Sequence, residues 1–126
     1  MTLSPLLLLG LALLGGVGAA TRYLVDDLIS RRWHHGFPLA TLVINVTGSF
    51  LIGLLAATLA TGSPEVFAVL ATGFCGGYTT FSTATVEAVR LAREGDWRRA
   101  ALAAAGTLVL CTAAATLGYL LGGTLR

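Results

Sequence analysis

Between Thr79 and Thr85 the chain places five hydroxyl side chains, Thr79, Thr80, Ser82, Thr83 and Thr85, around one aromatic ring, Phe81. Each hydroxyl can donate a hydrogen bond, and the edge of a phenyl ring is electropositive while its faces are negative. Joined by the amide N–H groups of Asn45, such donors could replace the water around a small anion with no fixed positive charge to trap it. Binding of that kind is weak and shared among several sites, which lets an ion leave as readily as it enters. Taken singly, each residue is also explained by hydrogen bonding between helices; the grouping is what favours an ion path.

The stretch just before the cluster, Thr72-Gly73-Phe74-Cys75-Gly76-Gly77-Tyr78, bears on the backbone. Adjacent glycines followed by β-branched threonines make a poor continuous helix, so a break is expected between Gly73 and Thr80. Irregular backbone at membrane depth is tolerated where it is buried in protein or lines a watery cavity, and carbonyls freed there can hold a cation. A packing face is the competing account of the glycines, although it leaves the hydroxyls unexplained. In an earlier apolar segment Thr41, Asn45, Gly48 and Ser49 recur at helical spacing and share one face. Arg22 and Glu87 are the charges set furthest into apolar segments. Both can reach the headgroup region, and Arg22 could also concentrate anions in a vestibule. His34 and His35 are adjacent, point apart on a helix and belong to a solvated loop. Cys75 and Cys111 read as small residues of apolar helices.

The elements that position these residues follow from composition. Of 126 residues 56% are hydrophobic and 11% charged, with mean hydropathy +0.83, whereas a soluble domain carries about a quarter of its residues as charges. The chain is therefore read as an all-α integral membrane protein. Apolar runs give four transmembrane helices, Pro5 to about Leu28, Pro38 to about Ala60, Pro64 to about Leu91 and Ala100 to about Leu121, the third broken near its centre. The first is expected to be a span rather than a cleaved leader, since nothing before Leu6 is positively charged. The connections, Ser30 to Phe37, Thr61 to Ser63 and Arg93 to Arg99, are short enough to make neighbours antiparallel, so residues 1–126 are read as a single four-helix transmembrane domain. The fourth segment presents a small-residue face, Gly106, Thr107, Cys111, Ala114, Ala115, Gly118 and Gly122, suited to packing on another helix. Nucleic acid is excluded as a partner, because the arginines form no basic tract. An enzyme is excluded too, since Ser82 has no histidine within its own segment to act as base. Arg22, Arg31, Arg32, Arg90, Arg93, Arg98 and Arg99 fall on the side of the first and third loops, against Arg126 opposite. That bias favours cytoplasmic first and third loops.

Three motifs carry a family resemblance: Gly15-Gly16-Val17-Gly18-Ala19-Ala20-Thr21-Arg22-Tyr23, Ala40-Thr41-Leu42-Val43-Ile44-Asn45-Val46-Thr47-Gly48-Ser49-Phe50, and Gly73-Phe74-Cys75-Gly76-Gly77-Tyr78-Thr79-Thr80-Phe81-Ser82-Thr83 followed by Glu87. In this order on a four-span chain, the sequence resembles the fluoride ion channel family known as CrcB or Fluc. The resemblance implies an antiparallel dimer of two inverted subunits with two pores. These would pass fluoride passively out of the cell across the plasma or inner membrane and so protect against its toxicity. It further implies fluoride-path roles for Asn45, Phe81, Ser82 and Thr83, with Arg22 and Glu87 near the vestibule. A structural sodium ion would lie on the dimer axis, held by the backbone carbonyls of Gly76 and Thr79. Two departures stand out: the family usually has a second phenylalanine where this chain has Ala84, and the arginine bias opposes insertion both ways. A smaller one is the alanine run Ala100 to Ala105, where an early tyrosine of the fourth helix is common. One alternative is therefore a subunit of a heterodimeric fluoride channel, whose homologous partner takes the opposite orientation. Others are a non-conducting structural subunit, and an exporter of the small multidrug-resistance type, for which the first span lacks a carboxylate before Asp26.

Overall fold

The computed structural model describes residues 2–126 and is all-helical over them. Helix α1 (Pro5–Ser30) starts where Ser4 Oγ accepts the Leu7 N–H at 3.1 Å and Pro5 takes the first turn, a position whose N–H would be unpaired in any residue. Helix α2 (Leu39–Leu59) follows Pro38, and α6 (Trp97–Thr124) follows Asp96, whose carboxylate accepts the Arg99 N–H at 3.1 Å. These three helices are long and apolar enough to cross a membrane. The remaining leg comes in pieces: α3 (Pro64–Phe67), a π-helical stretch Ala68–Cys75, α4 (Gly76–Tyr78), and then, past an extended Thr79-Thr80, α5 (Phe81–Arg93). Four legs, the third of them bent, match the expected layout.

The break falls at the far end of the expected stretch, Gly73 to Thr80, and its cause differs from expectation. Gly76 and Gly77 are helical, and the chain leaves the helix at Thr79 (ψ 160°) and Thr80 (φ −147°). The glycines serve contact instead. A Cβ on Gly77 would strike the Gly15 carbonyl, and one on Gly18 would strike the Phe74 carbonyl and stand 2.9 Å from the Tyr78 nitrogen. Backbone thus meets backbone between α1 and the first half of the bent leg, the close approach that small residues permit within a bilayer. The fourth helix also begins earlier than expected, at Trp97 rather than Ala100, because Asp96 supplies the cap and Gly95 turns the chain at φ +84°.

The small-residue face of α6 divides. Gly118 lies against the Phe50 carbonyl and Gly122 against Leu54 and Ala57, all on α2, while a Cβ on Gly106 would meet nothing within 4 Å. Helix α2 is the core of the chain: Ala40, Thr41, Ile44, Asn45, Gly48, Gly53 and Ala57 are buried. The bent leg changes neighbours at its break, since the segment before Thr79 packs on α1 and α5 packs on α6. Between the two stands the polar face of α2.

Candidate functional site

Three residues of α2 hold the break. Asn45 is 7% exposed and grips the backbone of Thr80 from both sides: its Nδ2 donates to the Thr80 carbonyl at 2.9 Å, and its Oδ1 accepts the Thr80 N–H at 2.8 Å. Two residues on, Thr47 meets the hydroxyl of buried Tyr78 at 2.9 Å. The Thr47 hydroxyl also lies 2.8 Å from the Val43 carbonyl, which leaves Tyr78 able to donate to it. Gly48 leaves room for the Thr79 methyl group, which a Cβ would strike. Each hydrogen bond of this kind contributes about 1 kcal/mol net, and an unmade one in a buried place costs more.

The break leaves the carbonyls of residues 76–79 without their helical donors, Gly76 and Thr79 among them. In an unbroken helix the Gly76 carbonyl would accept from the Thr80 N–H and the Thr79 carbonyl from the Thr83 N–H. Here the Thr80 N–H goes to Asn45, and the Thr83 N–H goes to Thr80 Oγ1 at 3.2 Å as the cap of α5. Uncharged carbonyl oxygens released from a broken helix are ligands of the type a monovalent cation takes. The chemistry of Gly76 and Thr79 therefore fits the ion that the resemblance assigns to them.

On the loop-one side of the grip lies a cavity of about 330 Å³ lined by Arg22 and Asp26 of α1, Thr41 and Ile44 of α2, and Thr80, Thr83 and Glu87 of the bent leg. A second cavity, about 180 Å³, shares Asp26, Thr41 and Glu87 with it and is roofed by the loop from Trp33 to Pro38. Thr41, 4% exposed, donates to Glu87 Oε1 at 3.0 Å, while Oε2 is buried and has no hydrogen-bond partner among the described residues. Both charges singled out in the sequence thus border one vestibule. Asp26, whose spacing gave no hint of a role, joins them there. Ala84 faces a hollow of only about 10 Å³ closed by Phe37, Pro38 and Leu42, too small for more than one water molecule.

Across the grip lies a shallow groove of about 210 Å³, lined by Asn45, Ser49, Thr79, Thr80, Phe81, Thr107 and Cys111. Thr80 borders both this groove and the vestibule. Phe81 opens α5 with its ring 86% exposed, and Ser82 and Thr83 are exposed beside it. Asn45 has spent one N–H and its oxygen on Thr80, which leaves its second N–H as a donor at the groove wall. The groove thus joins Asn45 and Phe81, Thr83 lines the vestibule with Arg22 and Glu87, and Ser82, exposed beside Phe81, lines neither of these cavities. Thr107 and Cys111 were read from sequence as packing residues; their four-residue spacing on one face of α6 is the signal that could have placed them together. His34 and His35 stay in the exposed loop, and Cys75 and Cys111 are both free thiols.

With this geometry in view, the profile of one family, described as CrcB-like protein, camphor resistance (CrcB), matches residues 9–119. The chain is 50% identical over 124 residues to a protein of Leifsonia xyli named Fluoride-specific ion channel FluC 1, covering 96% of this chain and 90% of that one. It is 46% identical over 114 residues to Fluoride-specific ion channel FluC of a Hydrogenobaculum species, with coverage of 88% and 93%. A third relative, FluC 2 of Cutibacterium acnes, is 45% identical over 118 residues, with coverage of 91% and 96%.

Proposed function

This chain belongs to the CrcB-like family, and on that premise we propose that it is a fluoride channel, passing the ion passively out of the cytoplasm through the plasma or inner membrane. The observation that carries the reading is the grip of Asn45 on Thr80. It holds a hydroxyl-lined groove and a charged vestibule on either side of one residue, and leaves an amide N–H and the exposed Phe81 ring at the groove. Fluoride would gather near Arg22, pass Thr80 and Thr83, and shed water to the amide of Asn45, the hydroxyl of Ser82 and the ring edge of Phe81. None of these donors is cationic, so the ion is held weakly and released. The driving force is the ion's own gradient: hydrogen fluoride crosses membranes neutral, ionises in a less acidic cytoplasm and is trapped there.

The groove is open on one side, which suits completion by a second copy in inverted orientation and so two pores per dimer. Sodium bound by the Gly76 and Thr79 carbonyls would supply a fixed positive charge at the axis of that dimer. One feature favours a second arrangement. Seven arginines lie on one side of the chain and Arg126 alone on the other, a bias toward a single orientation. In that arrangement the chain pairs with a homologous subunit of opposite orientation, which contributes the ring absent at Ala84.

The test is fluoride efflux from liposomes containing this chain alone, with chloride as control and a Phe81→Ile variant alongside. Fluoride-selective efflux that the variant loses is expected. Silence from a folded dimeric preparation would overturn the homodimeric channel and leave the paired-subunit reading. Equal labelling, from both faces of intact cells, of a cysteine introduced into the first loop would overturn the single orientation.

A further inference from the structure

We propose that the first and third loops together form one headgroup-binding face, selective for phospholipids of net negative charge. The fold joins loops that are far apart in sequence. Phe37 of the first loop packs on the cluster of Leu91, Ala100 and Ala103 at the corner of α5 and α6. Gly36, at φ +75°, comes so close to α6 that a Cβ there would stand 3.2 Å from Arg99 Nη1. The basic residues of both loops therefore share one end of the molecule.

Their charges are not all answered from within. Arg31 pairs with Asp27 at 2.9 Å, Arg99 with Asp96 at 3.6 Å and Arg90 with Glu94 at 4.0 Å. Arg32, Arg93 and Arg98 are exposed, and none has a carboxylate within ion-pair distance among the described residues. A guanidinium presents a planar fork of donors that matches a phosphate group.

Aromatic residues mark the depth. Both tryptophans of the chain flank these arginines, Trp33 beside Arg32 and Trp97 beside Arg98, and Trp97 is 70% exposed. Tryptophan at the end of a membrane helix settles at the level of the headgroups. Guanidinium groups without internal partners, held at that level, meet lipid phosphates, and each attracts an anionic leaflet independently of the others. Of the described basic side chains the opposite end has Arg126, which already donates to Thr61 Oγ1 at 3.2 Å. This inference does not depend on which ion the protein conducts.

The two tryptophans make the face its own reporter. The purified chain would be reconstituted in phosphatidylcholine containing either brominated phosphatidylglycerol or brominated phosphatidylcholine, and quenching of tryptophan fluorescence would give the relative affinity of the face for the two lipids. Preference for phosphatidylglycerol is expected. Replacing Arg32, Arg93 or Arg98 singly by Gln should reduce that preference about fivefold each, and the triple variant should abolish it. Arg126→Gln should leave it unchanged. Equal quenching by both lipids in the unsubstituted chain would overturn the proposal, as would a preference that survives the triple substitution. Inorganic phosphate is a further arm: if it removes the preference where sodium chloride of equal ionic strength does not, the face is a free-phosphate site and the lipid assignment falls.

Discussion

Before Thr79 the bent leg touches its neighbour through bare backbone, with Gly77 against the Gly15 carbonyl and Gly18 of α1 against the Phe74 carbonyl. After Thr80 the same leg carries Ser82, Thr83 and Thr85 on exposed positions, two cavities open beside it, and Glu87 reaches Thr41 through a single hydrogen bond. The contrast separates two tasks. At those contacts the first segment has no side-chain volume with which to adapt, so it fixes position. The second has donors and space, so it can exchange partners with an ion or with water. A channel needs both, because weak donors select an ion only if the frame that holds them does not relax around it.

Substitutions that respect this division should act oppositely on the two segments. The largest effect is expected from Gly18→Val, whose Cβ would meet backbone that cannot rotate away. Destabilisation of about 3 kcal/mol or more is expected, read as loss of the monodisperse species in size-exclusion chromatography; normal elution would break the comparison. Next comes Asn45→Ala, which strands both the N–H and the carbonyl of Thr80. At ~1–3 kcal/mol for each buried group left unpaired, it should speed amide exchange at Thr80 and stop fluoride efflux while Gly18 contacts persist. Thr80→Val removes the hydroxyl that caps α5 through the Thr83 N–H; a cost of about 1 kcal/mol is expected, seen as a modest fall in thermal midpoint with a clear fall in efflux. The smallest effect belongs to Gly16→Ala. A Cβ there would meet nothing within 4 Å, and alanine is the better helix former by ~1 kcal/mol. Its thermal midpoint should hold or rise, and a fall would show that the first segment is packed on a face other than the one described.

The sequence made the helical legs legible because hydropathy is a local property, and the ends of α1 and α6 follow from Ser4, Pro5 and Asp96 within a turn of each helix. It also carried the expectation of a break between Gly73 and Thr80, ascribed to adjacent glycines followed by β-branched threonines. Gly76 and Gly77 stay helical while the two threonines are extended, held so by Asn45, 35 residues earlier in the chain, and no local pattern reports a partner at that distance. The same applies to Thr41 and Glu87, 46 residues apart. Hydroxyl clustering did bring Ser82 and Thr83 together with Phe81, since neighbours in a helix remain neighbours in space. The contribution of Thr107 and Cys111 to the groove depended on how α6 packs beside the bent leg, a long-range choice that their shared face on the helix does not fix.

Because the contacts that turn the bent leg reside on α2, the bend is copied from a template rather than encoded where it occurs. The template also comes first in the chain: α2 is synthesised before residues 64–93 and precedes them toward the bilayer. A peptide of residues 64–93 alone, deprived of Asn45, is expected to run as one helix through Thr79 and Thr80 in detergent micelles, with carbon chemical shifts as the readout. Supplying α2 as a second peptide should interrupt it there.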